Sequence, residues 1–271
     1  MENEIGIAGW LYKGHIRREK TLTLLQLPAE CASHGVKVVE LCSLFFESQE
    51  ASYLNKLRAA AEDSGVSVRN IAVDVGNIAG ADPKVRRTDI EALKQWFYTA
   101  SAIGSGAIRI NTGHADDDGA VARVIEGYQE LAEVGERAGV KLLIENHGGL
   151  SARSDGLTRI LEGVLSESFA TCPDTGNFMA DDWEAGMRVL APRAFSCHVK
   201  LFTYGKNGAQ AVTDGTGVEY QFSLRRGLEI LRDAGYTGPL CIEKGISSEE
   251  TSWADMIRNA SRYIQDLMAD L

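Results

Sequence analysis

A chain of 271 residues, 44% hydrophobic and 24% charged, has the length and composition of a globular protein with a large core. The formal net charge of −10 and a pI near 5.1 argue against a general nucleic-acid binder, which needs a basic footprint to displace counterions. No apolar run approaches the roughly 20 residues that cross a bilayer, and Met1-Glu2-Asn3-Glu4 lacks the basic start of a signal peptide, so a cytoplasmic protein without a membrane partner is expected.

Taken in order, the chain opens with a short apolar strand over 4–10, then a helix carrying Leu22, Leu25 and Leu27 before His34-Gly35, then a strand over 37–42. The pattern recurs: helix 51–63 and strand 66–74, helix 89–103 and strand 107–113, helix 121–138 and strand 140–147, helix 156–165 and strand 169–175, helix 183–190 and strand 194–201. Helix 222–234, strand 239–244 and helix 253–268 close it. Many of these helices end on Gly, as a left-handed C-cap demands, and the β-branched runs behind them read as buried parallel strands. About eight strand-helix units of about 30 residues predict an α/β fold of the (β/α)8 TIM-barrel class, one domain over 1–271. A doubly wound open sheet is the alternative. The first strand lacks a GxGxxG turn, and polar residues gather at several strand ends, which favours the barrel. The long connection over 202–220 is expected to be a lid or mobile segment at the carboxyl-end face. Cys31, Cys42, Cys172, Cys197 and Cys241 show no CxxC pair and read as reduced core thiols.

Four successive strands end in a potential metal ligand: Glu145 in LLIEN, Asp174 in PDTGN, His198 in SCHVK and Glu243 in LCIEK. Three carboxylates and one imidazole suit one divalent ion, Mn2+ first, with Mg2+, Co2+ or Zn2+ as alternatives, better than a closed structural zinc site. Singly, each has a plainer reading: a strand-end carboxylate at a wet rim, a turn Asp before Thr175-Gly176, a satisfied core histidine. Four at matching positions outweigh those readings. His147 lies two residues past Glu145 and Lys200 two past His198, so on a strand they share the ligands' faces. They are candidate substrate contacts, with Asn177 one tight turn beyond Asp174. Trp10 could stack on a bound substrate or simply pack. Glu40 is an inward carboxylate that needs a partner, for which Arg109 of IRIN is the candidate. His114 with Asp116, Asp117 and Asp118 reads as a solvated loop and helix start rather than a second metal site.

The pieces VVEL at 38–41, IEN, PDTGN, HVK and the run from Gly215 through GVEY to GYTGPLCIE resemble the xylose-isomerase-like TIM-barrel superfamily of sugar isomerases and epimerases. That superfamily also includes inosose dehydratases and endonuclease IV. The resemblance runs nearly the full length. It implies that Glu145, Asp174, His198 and Glu243 bind one divalent metal at the ends of strands five to eight. It also implies that oxygens of a small carbohydrate chelate the ion and that Glu145 and Glu243 flank the reacting carbon as acid and base. A divalent ion polarising a carbonyl acidifies the neighbouring C–H. The implied activity is a metal-dependent isomerase or epimerase of a sugar, sugar acid or sugar phosphate, working through a metal-stabilised enediolate. A lyase or dehydratase on a keto-sugar or keto-inositol is the second reading, and a carbohydrate-binding barrel without turnover the third. Three departures leave substrate and reaction type open: Asn177 where many relatives carry His, Leu201 where many have Asp, and Lys244-Gly245 after Glu243. Endonuclease IV-like repair is disfavoured, since it uses three zinc ions and extra His ligands, and this chain has five His and an acidic charge. A homo-oligomer is compatible with the sequence.

Overall fold

The computed structural model describes residues 1–115, 117–248 and 250–271. Eight parallel strands run side by side: β1 (Ile5–Ala8), β2 (Val38–Cys42), β3 (Ser67–Val73), β4 (Ala107–Ile110), β5 (Lys141–Glu145), β6 (Phe169–Cys172), β7 (Cys197–Lys200) and, after an antiparallel hairpin β8 (Ala209–Thr213) and β9 (Glu219–Ser223), β10 (Leu240–Lys244). Continuous ladders join β6 through β1 to β10 and β7. The remaining seam, β6 to β7, is closed by the isolated bridges Thr171 to Ala194 and Asp174 to His198. The ring is therefore a (β/α)8 barrel, with its weakest pairing at one identifiable place.

Helices α1 (Leu27–Ser33), α2 (Ala51–Asp63), α3 (Pro83–Ile103), α4 (Ala120–Ala138), α5 (Ser154–Gly163), α6 (Trp183–Leu190), α7 (Leu224–Asp233) and α8 (Trp253–Ala269) surround it. Gly104 and Gly139, at φ 77° and 67°, cap α3 and α4 in the left-handed region, where a side chain would be strained. The large core lies between sheet and helices and includes Ile108, Ile110, Leu142 and Ile144. A separate small cluster of Ala107, Leu143, Ala170 and Cys172 fills the barrel interior. Arg109 lies two residues beyond Ala107 and Glu145 two beyond Leu143, so the same interior face turns from apolar to ionic toward the carboxyl ends. At the other end Arg69 stacks 3.5 Å from the Phe195 ring and donates from Nη2 to its carbonyl at 2.6 Å, sealing the floor.

Several boundaries differ from those read in the sequence. The first strand stops at Ala8, so Trp10 sits on the 3-10 turn Gly9–Tyr12. Only the end of the Leu22 to Leu27 stretch enters a helix. Helix α3 starts at Pro83, six residues early, because the Asp82 carboxylate accepts from Lys84 N at 2.8 Å and Pro at the first position needs no donor. The connection over 202–220 holds most of a folded hairpin, and α7 begins after Ser223, whose hydroxyl accepts from Arg226 N at 3.2 Å. All five cysteines are free and buried. Among the described residues no helix is long and apolar enough to cross a membrane.

Candidate metal centre and substrate cavity

Ligand atoms of Glu145, Asp174, His198 and Glu243 all lie within 4.8 Å of one another, and all four residues are buried or nearly so. His198 Nδ1 is the hub: Glu145 Oε1 is 3.2 Å away, Glu243 Oε1 3.5 Å and Asp174 Oδ2 3.8 Å. Its other nitrogen, Nε2, lies 2.6 Å from Glu40 Oε2. A carboxylate accepting Nε2–H fixes the ring and turns Nδ1 toward the three acids.

Loop geometry places Asp174. Its backbone N donates to Asn146 Oδ1 and its carbonyl accepts from Asn146 Nδ2, each at 2.8 Å, which ties the end of β6 to the end of β5. Asp174 Oδ1 accepts from Gly176 N at 2.7 Å, the expected turn bond, while Oδ2 faces the cluster. The turn reading and the ligand reading thus describe different oxygens of one side chain.

Cations offset the acids. Arg109, 2% exposed, donates from Nη1 to Asp74 Oδ1 at 2.5 Å and sets Nε 2.8 Å from Glu145 Oε2. Lys200 Nζ is 2.9 Å from both Asp174 Oδ2 and Glu243 Oε2, and donates to Asn177 Oδ1 at 2.6 Å. Proximity does not bring alignment, however. Glu145 Oε2, Asp174 Oδ2 and Arg109 Nε are buried without a directed hydrogen bond among the described residues. An Asp174 Oδ2 left without a directed hydrogen bond 3.8 Å from the hub nitrogen is a position that a divalent cation would complete, and the donor set fits one.

Protonation follows from burial against these charges. Burial would raise the Glu145 carboxyl, but Arg109 and His198 outweigh it and hold it well below the ordinary range. Burial opposes ionisation of Glu243 in the same way, and His198 and Lys200 prevail. At Asp174 burial wins over Lys200, and the carboxyl is pushed up to about 7. Burial lowers His198, yet the surrounding acidic groups raise it well above 6.5.

A cavity of about 310 Å3 opens beside the cluster, lined among others by Trp10, Asp74, Arg109, His147, Lys200 and Glu243. Trp10 lies parallel to Phe45 with ring centres 6.0 Å apart and forms a wall. His147 lines the cavity, although β5 ends at Glu145 and strand alternation no longer places it. His114, expected on a solvated loop, also lines it. Asp117 pairs instead with Arg123 at 2.5 Å, and Asp116 lies outside the described residues.

One expectation is corrected. Glu40 takes His198, Ser196 and Asn70 as partners rather than Arg109, and it sits 1% exposed beneath the cluster, not in the cavity. Asn177 spends its carboxamide inside the cluster, donating to Glu145 Oε1 at 3.2 Å while accepting from Lys200. Asp74, Asn146 and Ser196 were not singled out in the sequence. Asp74 carried a comparable signal, an ionisable side chain at the carboxyl end of a strand. A larger cavity of about 610 Å3, lined by Glu167 and Phe195 at the amino ends of the strands, contains none of this chemistry.

The fold and this cluster define a TIM barrel with a carboxylate-imidazole centre at the carboxyl ends of its strands. The chain belongs to the xylose isomerase-like TIM-barrel family, whose profile matches residues 28–267. Similar solved structures include D-psicose 3-epimerase from Clostridium cellulolyticum H10 with D-tagatose, at 17% identity over 98% of this chain and 97% of that one, with a TM-score of 0.71. L-ribulose 3-epimerase is 20% identical over 97% and 86% of the two chains, with a TM-score of 0.70. A xylose isomerase-like protein from Mycobacterium smegmatis in complex with magnesium is 14% identical over 99% and 97%, also with a TM-score of 0.70. No curated protein sequence matches.

Proposed function

We propose that the protein is a divalent-metal-dependent isomerase or epimerase of a sugar, sugar acid or sugar phosphate. The observation that carries this reading is the convergence of Glu145 and Glu243 on His198 Nδ1 beside an open cavity, each with its second oxygen next to a cation. Glu145, Asp174, Glu243 and His198 Nδ1 would hold the ion, and three oxygen donors with one nitrogen favour Mn2+ over a closed zinc site. A bound ion supplies Lewis acidity that polarises a substrate carbonyl and acidifies the adjacent C–H.

The chain's own side chains do the rest. Glu145 and Glu243 both enter as carboxylates; one removes the carbon-bound proton and the other returns one. Lys200 lines the cavity and offsets charge that develops on substrate oxygens. Arg109 holds Glu145 in place, and Trp10 and His147 form walls against which a sugar can lie. The epimerase names of the similar structures support the carbohydrate class.

The test is solvent deuterium exchange. Mn2+-loaded protein offered a panel of ketoses, keto acids and keto-inositols in D2O is expected to place deuterium on the carbon next to the carbonyl, with the carbon skeleton and its oxygens intact. A dehydrated or cleaved product would establish the lyase reading instead. Saturable binding with no exchange on any member would leave a carbohydrate-binding barrel.

A further inference from the structure

We propose that the site takes a substrate bearing an anionic substituent, a phosphate monoester or a carboxylate, in a subsite formed by Lys13, Lys244 and Ser247. This rests on the reading of Glu145 and Glu243 as the proton-transferring pair and adds the class of substrate. A second lobe of about 410 Å3 shares Trp10, Lys200 and Glu243 with the cavity described above. Its far side is lined by Lys13, Lys244, Ser247 and Trp253.

The lysines of this lobe differ in one respect. Lys200 is already matched by Asp174 and Glu243 at 2.9 Å each. Lys13 and Lys244 are exposed and form no ion pair among the described residues. Aromatic faces hold them instead, with Lys13 Nζ 4.8 Å from the Trp10 ring centre and Lys244 Nζ 4.0 Å from that of Phe202. A cation on an aromatic face is positioned without being neutralised.

Strand geometry shows why Lys244 can reach this lobe at all. Consecutive residues of a regular strand face opposite sides, so Glu243 and Lys244 should not line one cavity. They do, because the pairing of β10 with β7 slips between Ile242 and Lys244, and such a bulge re-aims a side chain. Two unmatched ammonium groups at the rim then have a clear electrostatic role. A chain of net charge −10 with three clustered carboxylates repels an anion, and a local positive rim draws it in and orients it.

The subsite is tested by titrating inorganic phosphate, and in a parallel arm malonate, into the metal-loaded protein while reading the fluorescence of its tryptophans, of which Trp10 and Trp253 line the lobe. The same titrations are run on Lys13→Gln/Lys244→Gln and on the charge-control variant Lys56→Gln, placed on the outer helix α2. Thermal melts verify folding. Saturable binding is expected in the wild-type protein, weakened up to about fivefold per ammonium removed and on the order of 25-fold in the double variant, and unaffected by Lys56→Gln. The arm that binds more tightly identifies phosphate or carboxylate as the group. Equal affinity in the wild-type and double-variant proteins, or no saturable binding, overturns the subsite. Deuterium exchange separates this from the function itself. Exchange on a neutral ketose that matches its phosphate and keto-acid analogues overturns the anionic substrate class alone. Phosphate binding that depends on the two lysines, with no exchange on any substrate, leaves the subsite and overturns proton transfer.

Discussion

Glu243 presents one oxygen to His198 Nδ1 and the other to Lys200, so replacing it with Gln keeps the size and one contact but removes the carboxylate proposed to move the proton. In Glu243→Gln, exchange is expected to fall by about 10²- to 10⁴-fold, the usual share of a positioned acid or base. The melting temperature of the metal-free protein should fall only modestly, because Gln keeps the size and gives up just the charge that His198 and Lys200 favour. Full exchange activity in that variant would refute its role. Glu40 acts one step away, through the bond to His198 Nε2. Glu40→Gln is expected to weaken Mn2+ binding by about 10- to 100-fold, as losing such a supporting carboxylate does elsewhere, and a calorimetric titration reads this directly. The pH dependence has a definite sign. Asp174 ionises only near about 7, and His198 stays protonated well above 6.5, so the metal-free site holds protons that an ion must expel. Metal affinity should therefore rise with pH through neutrality, by up to about tenfold per unit for each proton released. A flat affinity between pH 6 and 8 would contradict it.

The β8–β9 hairpin is the element that sequence patterning missed. Its strands alternate weakly, and only Gln210 and Phe222 are buried, so the stretch resembles a polar loop. Cross-chain contacts make it a hairpin. Phe222 stacks on Trp183 with ring centres 5.0 Å apart, and Tyr220 donates its hydroxyl to the Phe178 carbonyl at 2.9 Å. Gln210 accepts from the backbone of Phe202 and Thr203 at 2.8 and 3.1 Å. Phe222→Ala is expected to cost about 3 kcal/mol in denaturant unfolding, since the ring is 7% exposed and its removal leaves a void over α6. A cost below about 1 kcal/mol would mean the hairpin is not anchored there. Strand order was legible because parallel strands buried on both faces are continuous apolar runs ending in Gly-marked turns. The four candidate ligands were legible because each ends such a run. Glu40 was half legible: its inward direction followed from alternation in VVELC, but its partner comes from a strand more than 150 residues later, and nothing local encodes that. His147 and Lys244 mark the limit of alternation in opposite ways, one beyond its strand and the other at a bulge.

For the whole molecule, the site and the weakest part of the ring coincide. Seven of the eight strand junctions are ladders, whereas β6 and β7 meet through two bridges, one of them Asp174 to His198. An ion held by Asp174 and His198 would staple that seam, as well as neutralise three carboxylates that the metal-free protein must offset with Lys200, Arg109 and protons. Binding to the folded state alone stabilises by about 2.7 kcal/mol at 100 times the Kd. For a domain of this size that is a rise of roughly 5–10 °C in melting temperature. Mn2+ should therefore raise the melting temperature over that of chelator-treated protein, and the gain should depend on concentration. Amide hydrogen exchange gives the sharper reading. Protection should increase at the backbone bonds that close the seam, Phe195 N to the Thr171 carbonyl, His198 N to the Pro173 carbonyl and Thr175 N to the His198 carbonyl, more than within the continuous β2–β3 ladder. An ion bound at some other acidic surface could raise the melting temperature too, but it would not concentrate protection on those three amides. Equal protection of seam and ladder would therefore place the ion elsewhere, and no shift at millimolar Mn2+ would remove the metal from the mechanism.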